Sequence, residues 1–306
     1  MSPALAYGMT FLGVTGHASS EFFAVFSGVN GPEVSVWRYL IGALGLLAIC
    51  ACWPSQRDLM SPLRAHWKEL VPLSIVGVSG AYLFFHWSLD YASVVQVGTM
   101  VTTIPIFVGL ANLLINRVPV STAKLISGGA AVIGVALLLT DGVLSQLAGD
   151  SRSIIGILMA LACAALGSFY AVMVKPLIVA HGALRITTLS MTIGAIGLWV
   201  IVGVFFAIWV NPLTLFEKSA TASSSLLVLG IWNTTITQIL WLGGLAAVPD
   251  ITRGSYLFFL KPVLTAFLAL AILRQPISGI EVLAILVICG SVVLELLWPR
   301  LAKRFA

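Results

Sequence analysis

Ser79, Tyr82, His86 and Asp90 follow one another at intervals of three, four and four residues in an otherwise apolar stretch. On a helix that spacing sets all four on one face. Thr234, Gln238 and Trp241 form a second such stripe, with Asn233 beside it; Gln96, Thr99 and Thr103 form a third, and Thr10, His17, Ser20 and Glu21 a fourth. A polar group turned towards lipid costs several kcal/mol. Such stripes therefore line a watery cavity or bond one helix to another. Tyr82, Phe85, Trp232, Trp241 and Tyr256 lie on or near these stripes, where their rings either wall a cavity for an amphipathic or aromatic solute or pack.

Lys261 is the sharpest single residue. It lies deep in an apolar run, directly before Pro262, with Tyr256 and Arg253 upstream. A proline removes one backbone hydrogen bond and frees a carbonyl, loosening the helix beside the charge. A cation held there can bind the carboxylate of an amino acid; the alternatives are an internal salt bridge or an amine that snorkels to the interface. Arg38 stands nearer a helix end and is expected to pair with Glu21 or Glu33, or with helix carbonyls, a structural ion pair being favoured because an unpaired charge at that depth is costly. Glu21 and His86 are the candidate proton carriers, histidine because it titrates near neutrality.

Other chemistry finds no support. There is no GxxxxGK[ST] loop, GxSxG elbow or HExxH pair, so nucleotide-driven, esterase and zinc-protease chemistry have no foothold. The four histidines are scattered, and no nucleophile, base and metal ligands converge. The expectation is a protein that is not an enzyme and carries no cofactor and no metal. The cysteines, Cys50, Cys52, Cys163 and Cys289, all fall in apolar runs and read as small packing residues.

The elements that must position these residues follow from composition. Hydrophobic residues make up 59% of the 306 and charged ones 9%, against about 25% charged in a soluble domain. Lipid must be the solvent for most of such a chain. A bilayer core of about 30 Å needs about 20 apolar residues of helix. Ten segments meet that need: Ala4–Val25, Pro32–Trp53, Leu70–Leu89, Ala92–Ile115, Thr122–Thr140, Ile154–Val174, Ile186–Trp209, Ser223–Ala246, Thr252–Leu273 and Ile277–Trp298. The N-terminus lacks a basic region and an early cleavage site, so the first run reads as a mature helix.

The net charge of +5 does not point to nucleic acid, because the basic residues sit at helix ends. With a cytoplasmic N-terminus, Arg57, Arg64, Lys68, Arg117, Lys124, Lys175, Arg185, Arg253, Arg300, Lys303 and Arg304 fall inside. Only Arg152, Lys218 and Arg274 fall outside. That asymmetry places both termini in the cytoplasm of a multi-pass protein of the bacterial inner membrane.

The chain also repeats itself. Asn116-Arg117-Val118-Pro119-Val120-Ser121 is echoed by Leu273-Arg274-Gln275-Pro276-Ile277-Ser278, each preceded at like distance by a mid-helix proline, Pro105 or Pro262. Ile41-Gly42-Ala43-Leu44-Gly45-Leu46 is echoed by Ile193-Gly194-Ala195-Ile196-Gly197-Leu198, and Gly16 and Gly31 by Gly167 and Gly182. The expected units are 1–145 and 146–306, five helices each. An odd helix count turns the second unit upside down, the inverted repeat of secondary transporters.

These features resemble the drug/metabolite transporter superfamily, in its ten-helix EamA-type branch. The resemblance rests on Pro32 with Arg38, on Gly77 and Gly80 leading to Leu89-Asp90-Tyr91-Ala92-Ser93, and on Pro105. The second half repeats it with Gly230, Leu245-Ala246-Ala247, Pro262 and Pro276. Within that branch the chain is most similar to the bacterial YddG-type exporters of aromatic and other amino acids. The resemblance implies an all-α basket of ten transmembrane helices around a central cavity, with helices five and ten at the periphery. It places the stripes of helices three, four and eight on that cavity. The expected substrate contacts are Lys261, Tyr82, His86, Gln96, Thr99, Trp232, Asn233, Gln238, Trp241 and Tyr256, with Pro105 and Pro262 as hinges. The partners are then a small-molecule substrate and the lipid bilayer, in a chain compatible with a monomer. The expected function is gradient-driven export or facilitated movement of amino acids and related small metabolites by alternating access. A proton-coupled exporter of cationic drugs, with Glu21 as its central carboxylate, is the alternative.

Overall fold

The computed structural model describes residues 1–92, 94–140, 151–273 and 278–305, with the side chains at 21, 94–95, 139, 151–152, 269, 272–273, 295–296 and 299–305 outside that description. The Glu21 carboxylate and most of the Leu273–Ser278 junction therefore lie outside it. Among the described residues the chain is helical, with no strand. Its elements are α1 Pro3–Ala18, α2 Ser20–Phe26, α3 Gly31–Cys52, α4 Met60–Ser74, α5 Ala81–Ser88, α6 Val94–Val101, α7 Ile104–Asn116 and α8 Thr122–Thr140. They continue as α9 Ser151–His181, α10 Ala183–Phe206, α11 Ala220–Gly230, α12 Thr237–Ala247, α13 Ile251–Ser255, α14 Lys261–Leu273 and α15 Gly279–Phe305.

Six of the described helical runs are long and apolar enough to cross a membrane: Gly31–Cys52, Pro54–Ser88, Gln96–Asn116, Ser153–His181, Ala183–Phe206 and Ala220–Ala247. The outer surface agrees with a lipid surround. Leu44, Ile133, Leu158, Val204 and Leu286 are each more than half exposed, a density of bare aliphatic side chains that water does not tolerate over so wide a surface.

Several helix ends differ from the sequence reading. The Pro54–Glu69 stretch is not a loop throughout: α4 begins at Met60, ten residues before the apolar core, because the polar first turns lie at the bundle's end. The sixth segment does not stop at Val174 but runs through Pro176 to His181. The loss of one backbone donor at Pro176 is outweighed by burial of Leu177 and Ile178 beyond it. The first segment is broken at Ser19 into α1 and α2.

Two runs contain a widened π turn, Ile75–Gly80 between α4 and α5 and Ile231–Ile236 between α11 and α12. A π turn bonds across five residues and leaves carbonyls poorly paired. In the second turn the threonines answer this locally. Thr234 Oγ1 donates to Leu229 O at 3.0 Å and Thr237 Oγ1 to Trp232 O at 2.8 Å, each five residues back.

Both mid-helix prolines stand at breaks. α6 ends at Val101 and α7 starts at Ile104, with Pro105 in its first turn. A 3₁₀ turn, Tyr256–Leu260, separates α13 from α14, which starts at Lys261 with Pro262 next. The first turn of a helix is where a missing N–H costs least. The packing is cross-paired: α1 lies against α12, α5 and α7 against α9, α3 against α10 and α11, and α8 against α15. Glycines allow the closest approaches. A methyl group on Gly13 or Gly16 of α1 would overlap Trp241 or Thr237, and one on Gly244 would overlap Thr10.

Candidate substrate cavity

The helix breaks at Thr102 and Thr103 and at Tyr256–Leu260 border a cavity among α1, α3, α5, α7, α9, α12 and α14. Lys261 and Phe258 enter it from the 3₁₀–α14 break, Tyr82 and Phe85 from α5, Trp241 from α12, and His17 from α1. Arg38 of α3 and Ser168 of α9 complete the wall. Lys261 is buried and its Nζ lies 5.7 Å and 5.8 Å from the ring centres of Phe85 and Phe258, within cation–π range. His17 stacks edge-on against Trp241 and Phe258, at 5.8 Å and 5.6 Å. The wall is thus aromatic with two cations, and no acidic residue lines it among the described side chains.

Of its expected partners Arg38 takes a helix carbonyl; the Glu21 carboxylate lies outside the described side chains. Arg38 does not pair with Glu33. That carboxylate accepts from Trp37 Nε1 at 3.0 Å and from Lys218 Nζ at 3.1 Å, near one end of the bundle. Both groups lie at the start of α3 or in the loop before α11, whereas Arg38 is a turn deeper and 1% exposed. Its Nε donates to Thr234 Oγ1 at 3.0 Å and its Nη2 to the Asn233 carbonyl at 3.0 Å. Arg38 therefore serves the carbonyl side of the second π turn. Its Nη1 faces His86 Nε2 at 3.5 Å, and the guanidinium lies 5.6 Å from the Tyr82 ring centre.

His86 follows from this arrangement. Nδ1 lies 3.0 Å from the Tyr82 carbonyl and 2.8 Å from Ser35 Oγ. A carbonyl can only accept, so Nδ1 carries the proton, and Nε2 presents its lone pair to Arg38. His86 stands behind Arg38 and borders a smaller pocket with Val34 and Asp90.

The other expected contacts divide. Tyr82, Trp241 and Lys261 meet at the cavity. Gln238 supports it from behind, its Nε2 donating to Tyr82 Oη at 2.7 Å. Asn233 bonds α1, with Nδ2 donating to Gly16 O at 2.5 Å and Ser19 Oγ at 2.9 Å. Trp232 is 36% exposed and its Nε1 donates to Ser19 Oγ at 3.1 Å. Gln96 and Thr99 are buried but are not among the lining residues. Tyr256 and Pro105 border a different, lateral groove between α7 and α8. Within the first stripe, Ser79 Oγ donates to Gly194 O at 2.8 Å and Asp90 accepts from the Gly31 amide at 3.3 Å. The sequence reading named Phe85 as a ring that walls a cavity or packs, and Phe85 lines the wall; it placed His17 and Ser20 on a polar stripe of the first helix and gave Arg38, Phe258 and Ser168 no cavity role.

Beside the lateral groove, α7, α8 and α9 are tied to the stretch 248–256. Lys124 Nζ contacts Asp250 Oδ2 at 2.5 Å, Tyr256 Oη donates to the Lys124 carbonyl, and Asn112 Nδ2 donates to Thr252 Oγ1 at 3.3 Å. Lys175 Nζ adds a bond to Val248 O at 3.1 Å. Burial alone would raise the Asp250 carboxyl. The Lys124 hydrogen bond and charge, the Arg253 amide and the Arg253 charge outweigh it and hold the carboxyl below the ordinary aspartate value. Asp90 shifts the opposite way: burial raises it, and the Gly31 amide only partly offsets this.

A helical bundle with an aromatic, cation-bearing cavity reached through broken helices defines a membrane carrier. The chain belongs to the EamA-like transporter family, whose model matches residues 4–140 and again 154–297. It is 25% identical over 289 residues to an uncharacterized transporter of Clostridium kluyveri, covering 91% of this chain and 88% of the relative. It is 23% identical over 266 residues to the uncharacterized transporter YetK of Bacillus subtilis, covering 83% and 75%. A crystal structure of a protein 19% identical superposes with a TM-score of 0.79 over 98% of this chain and 100% of the other; at that identity the likeness is one of fold. The protein is a multi-pass membrane transporter and not an enzyme.

Proposed function

We propose that the chain is a secondary transporter that exports, or facilitates the movement of, amino acids, aromatic ones included, and related small metabolites across the bacterial inner membrane. It crosses ten times, as two five-helix units of opposite orientation, 1–145 and 146–306, with both termini cytoplasmic. The cross-paired packing supports this. α3 of the first unit seats on the π turn of α11–α12, and α10 of the second seats on the π turn of α4–α5. An exchange of this kind is what two inverted copies would produce.

The observation that carries the substrate reading is Lys261, a buried ammonium at a broken helix, facing a cavity walled by Tyr82, Phe85, Trp241 and Phe258. The ammonium meets the carboxylate of an amino acid and the rings meet an apolar or aromatic side chain. Arg38 and Lys261 in the wall, with no carboxylate there among the described side chains, favour an anionic group on the cargo over a cationic drug. Transport proceeds by alternating access: the Lys124–Asp250 end opens as the opposite end closes, with the breaks before Pro105 and Pro262 taking up the bend.

Flux of radiolabelled amino acids into proteoliposomes, with and without a pH gradient, tests the reading. We expect saturable uptake of aromatic amino acids that Lys261→Ala lowers by at least about tenfold while the protein still elutes as a folded particle. Wild-type rates in that variant would overturn it.

A further inference from the structure

The geometry of Arg38 points to a second role in the cavity, one that rests on reading this cavity as the substrate site. A guanidinium has five N–H donors. Nε is used by Thr234 Oγ1, one N–H of Nη2 by the Asn233 carbonyl, and one N–H of Nη1 by the long contact to His86 Nε2. One N–H on each terminal nitrogen is left over, in a side chain that lines the cavity. No carboxylate lies within 4.0 Å of the group among the described residues. Among the described side chains its partners are a hydroxyl, a carbonyl and an imidazole, with the Tyr39 and Tyr82 rings 5.8 Å and 5.6 Å away.

A buried charge without a counter-ion is expensive, and holding one here serves a purpose if the counter-ion arrives with the cargo. Two N–H groups on neighbouring nitrogens match the two oxygens of a carboxylate, the bidentate geometry that favours arginine over lysine. We propose that Arg38 binds the carboxylate of the cargo through this fork, so that the transporter selects carboxylate-bearing molecules and requires no ammonium on them. Phe85 and Tyr82, one turn apart on α5, then flank the apolar body of the cargo. Thr234, Asn233 and His86 position the fork by fixing the other three donors. The second π turn acquires a reason: it turns the Asn233 carbonyl towards α3, where it holds the guanidinium in place.

The test uses the purified full-length protein and three probes that share a phenyl ring: 3-phenylpropionate, phenylalanine and phenethylamine. Dissociation constants are measured by calorimetry. Both carboxylates are expected to bind, and phenethylamine to bind at least about tenfold more weakly. Arg38→Gln should weaken both carboxylates by about tenfold or more. Arg38→Lys keeps the charge without the fork and should weaken them too, so the assignment stays open to refutation if the glutamine variant does not fold. Three results overturn it: wild-type affinity for 3-phenylpropionate in either folded variant, phenethylamine binding as tightly as the carboxylates, or no binding of either carboxylate at millimolar concentration. Arg38-dependent binding without amino-acid flux would uphold the carboxylate site and remove the amino-acid transport reading. Amino-acid flux with Arg38-independent binding would do the reverse.

Discussion

Ser79 donates its hydroxyl hydrogen to the carbonyl oxygen of Gly194 at 2.8 Å, joining the first π turn to α10. Its counterpart joins the second π turn to α3, Thr235 Oγ1 donating to Gly42 O at 2.9 Å. In both contacts the acceptor is a glycine whose missing side chain lets the helices meet: a methyl group on Gly194 would overlap Val78, and one on Gly42 would overlap Thr234. Each π turn is thus seated on a glycine of a helix distant in sequence.

Gly194→Val is therefore expected to push α10 off the π turn and to cost about 1–3 kcal/mol or more, the price of overpacking a filled core. Ser79→Ala removes only the hydroxyl bond and should cost about 1 kcal/mol. Thermal unfolding in detergent, followed by size exclusion, ranks the two; a valine variant as stable as the alanine one would show that the seat is loose.

The Gln238–Tyr82 bond holds a cavity side chain from behind. Tyr82→Phe leaves the Gln238 amide, itself buried, without that acceptor, and a stranded buried donor costs about 1–3 kcal/mol. Adding Gln238→Leu removes the stranded group, so the double variant should be more stable than Tyr82→Phe alone. Additive losses in that cycle would mean the two side chains are not coupled.

Beside the lateral groove, the sign of the Asp250 effect fixes a pH dependence. Its carboxyl titrates below the ordinary aspartate value of 3.8 in the folded protein, so near that value the unfolded chain binds more protons. Its stabilisation is complete above 3.8 and is lost as pH falls through the folded value. Asp90, raised by burial, acts in the opposite sense, losing stability as pH rises from 3.8 through its folded value. Comparing wild type with Asp250→Asn cancels the Asp90 contribution. The difference in melting temperature should be largest near neutrality and shrink in acid; a difference independent of pH would assign the loss to something other than the charge.

Membrane class was legible in the sequence because burial in lipid constrains composition along the whole chain: too few charges remain to face water. The prolines at 105 and 262 marked breaks correctly because their effect is local and steric. The stripes were read correctly as polar faces, but which faces meet the cavity depends on helix rotation. The π turns upset that inference: Ser79, within Ile75–Gly80, points to α10 and Tyr82, just past it, to the cavity, though simple periodicity puts them together. A helix carbonyl was among the partners expected for Arg38, but which one could not be read, for a related reason. Its partners, Asn233 and Thr234, are almost 200 residues away, with |i−j| of 195 and 196, and a carbonyl turned out of its helix leaves no mark on residue identity. Glu33 looked like the natural counter-ion until Lys218, from a loop between distant helices, took it.

A π turn is an α-helix with one residue too many. The Ile75–Gly80 turn absorbs that residue, so Tyr82 and Phe85 beyond it face as they would on a regular helix one residue shorter. One further residue inserted between Gly80 and Tyr82 would turn everything beyond by about 100° relative to everything before, and Tyr82 and Phe85 would leave the cavity wall together. The shape of the cavity is therefore held by a counting irregularity in the backbone, and a one-residue insertion there should be more damaging to function than most substitutions in the wall.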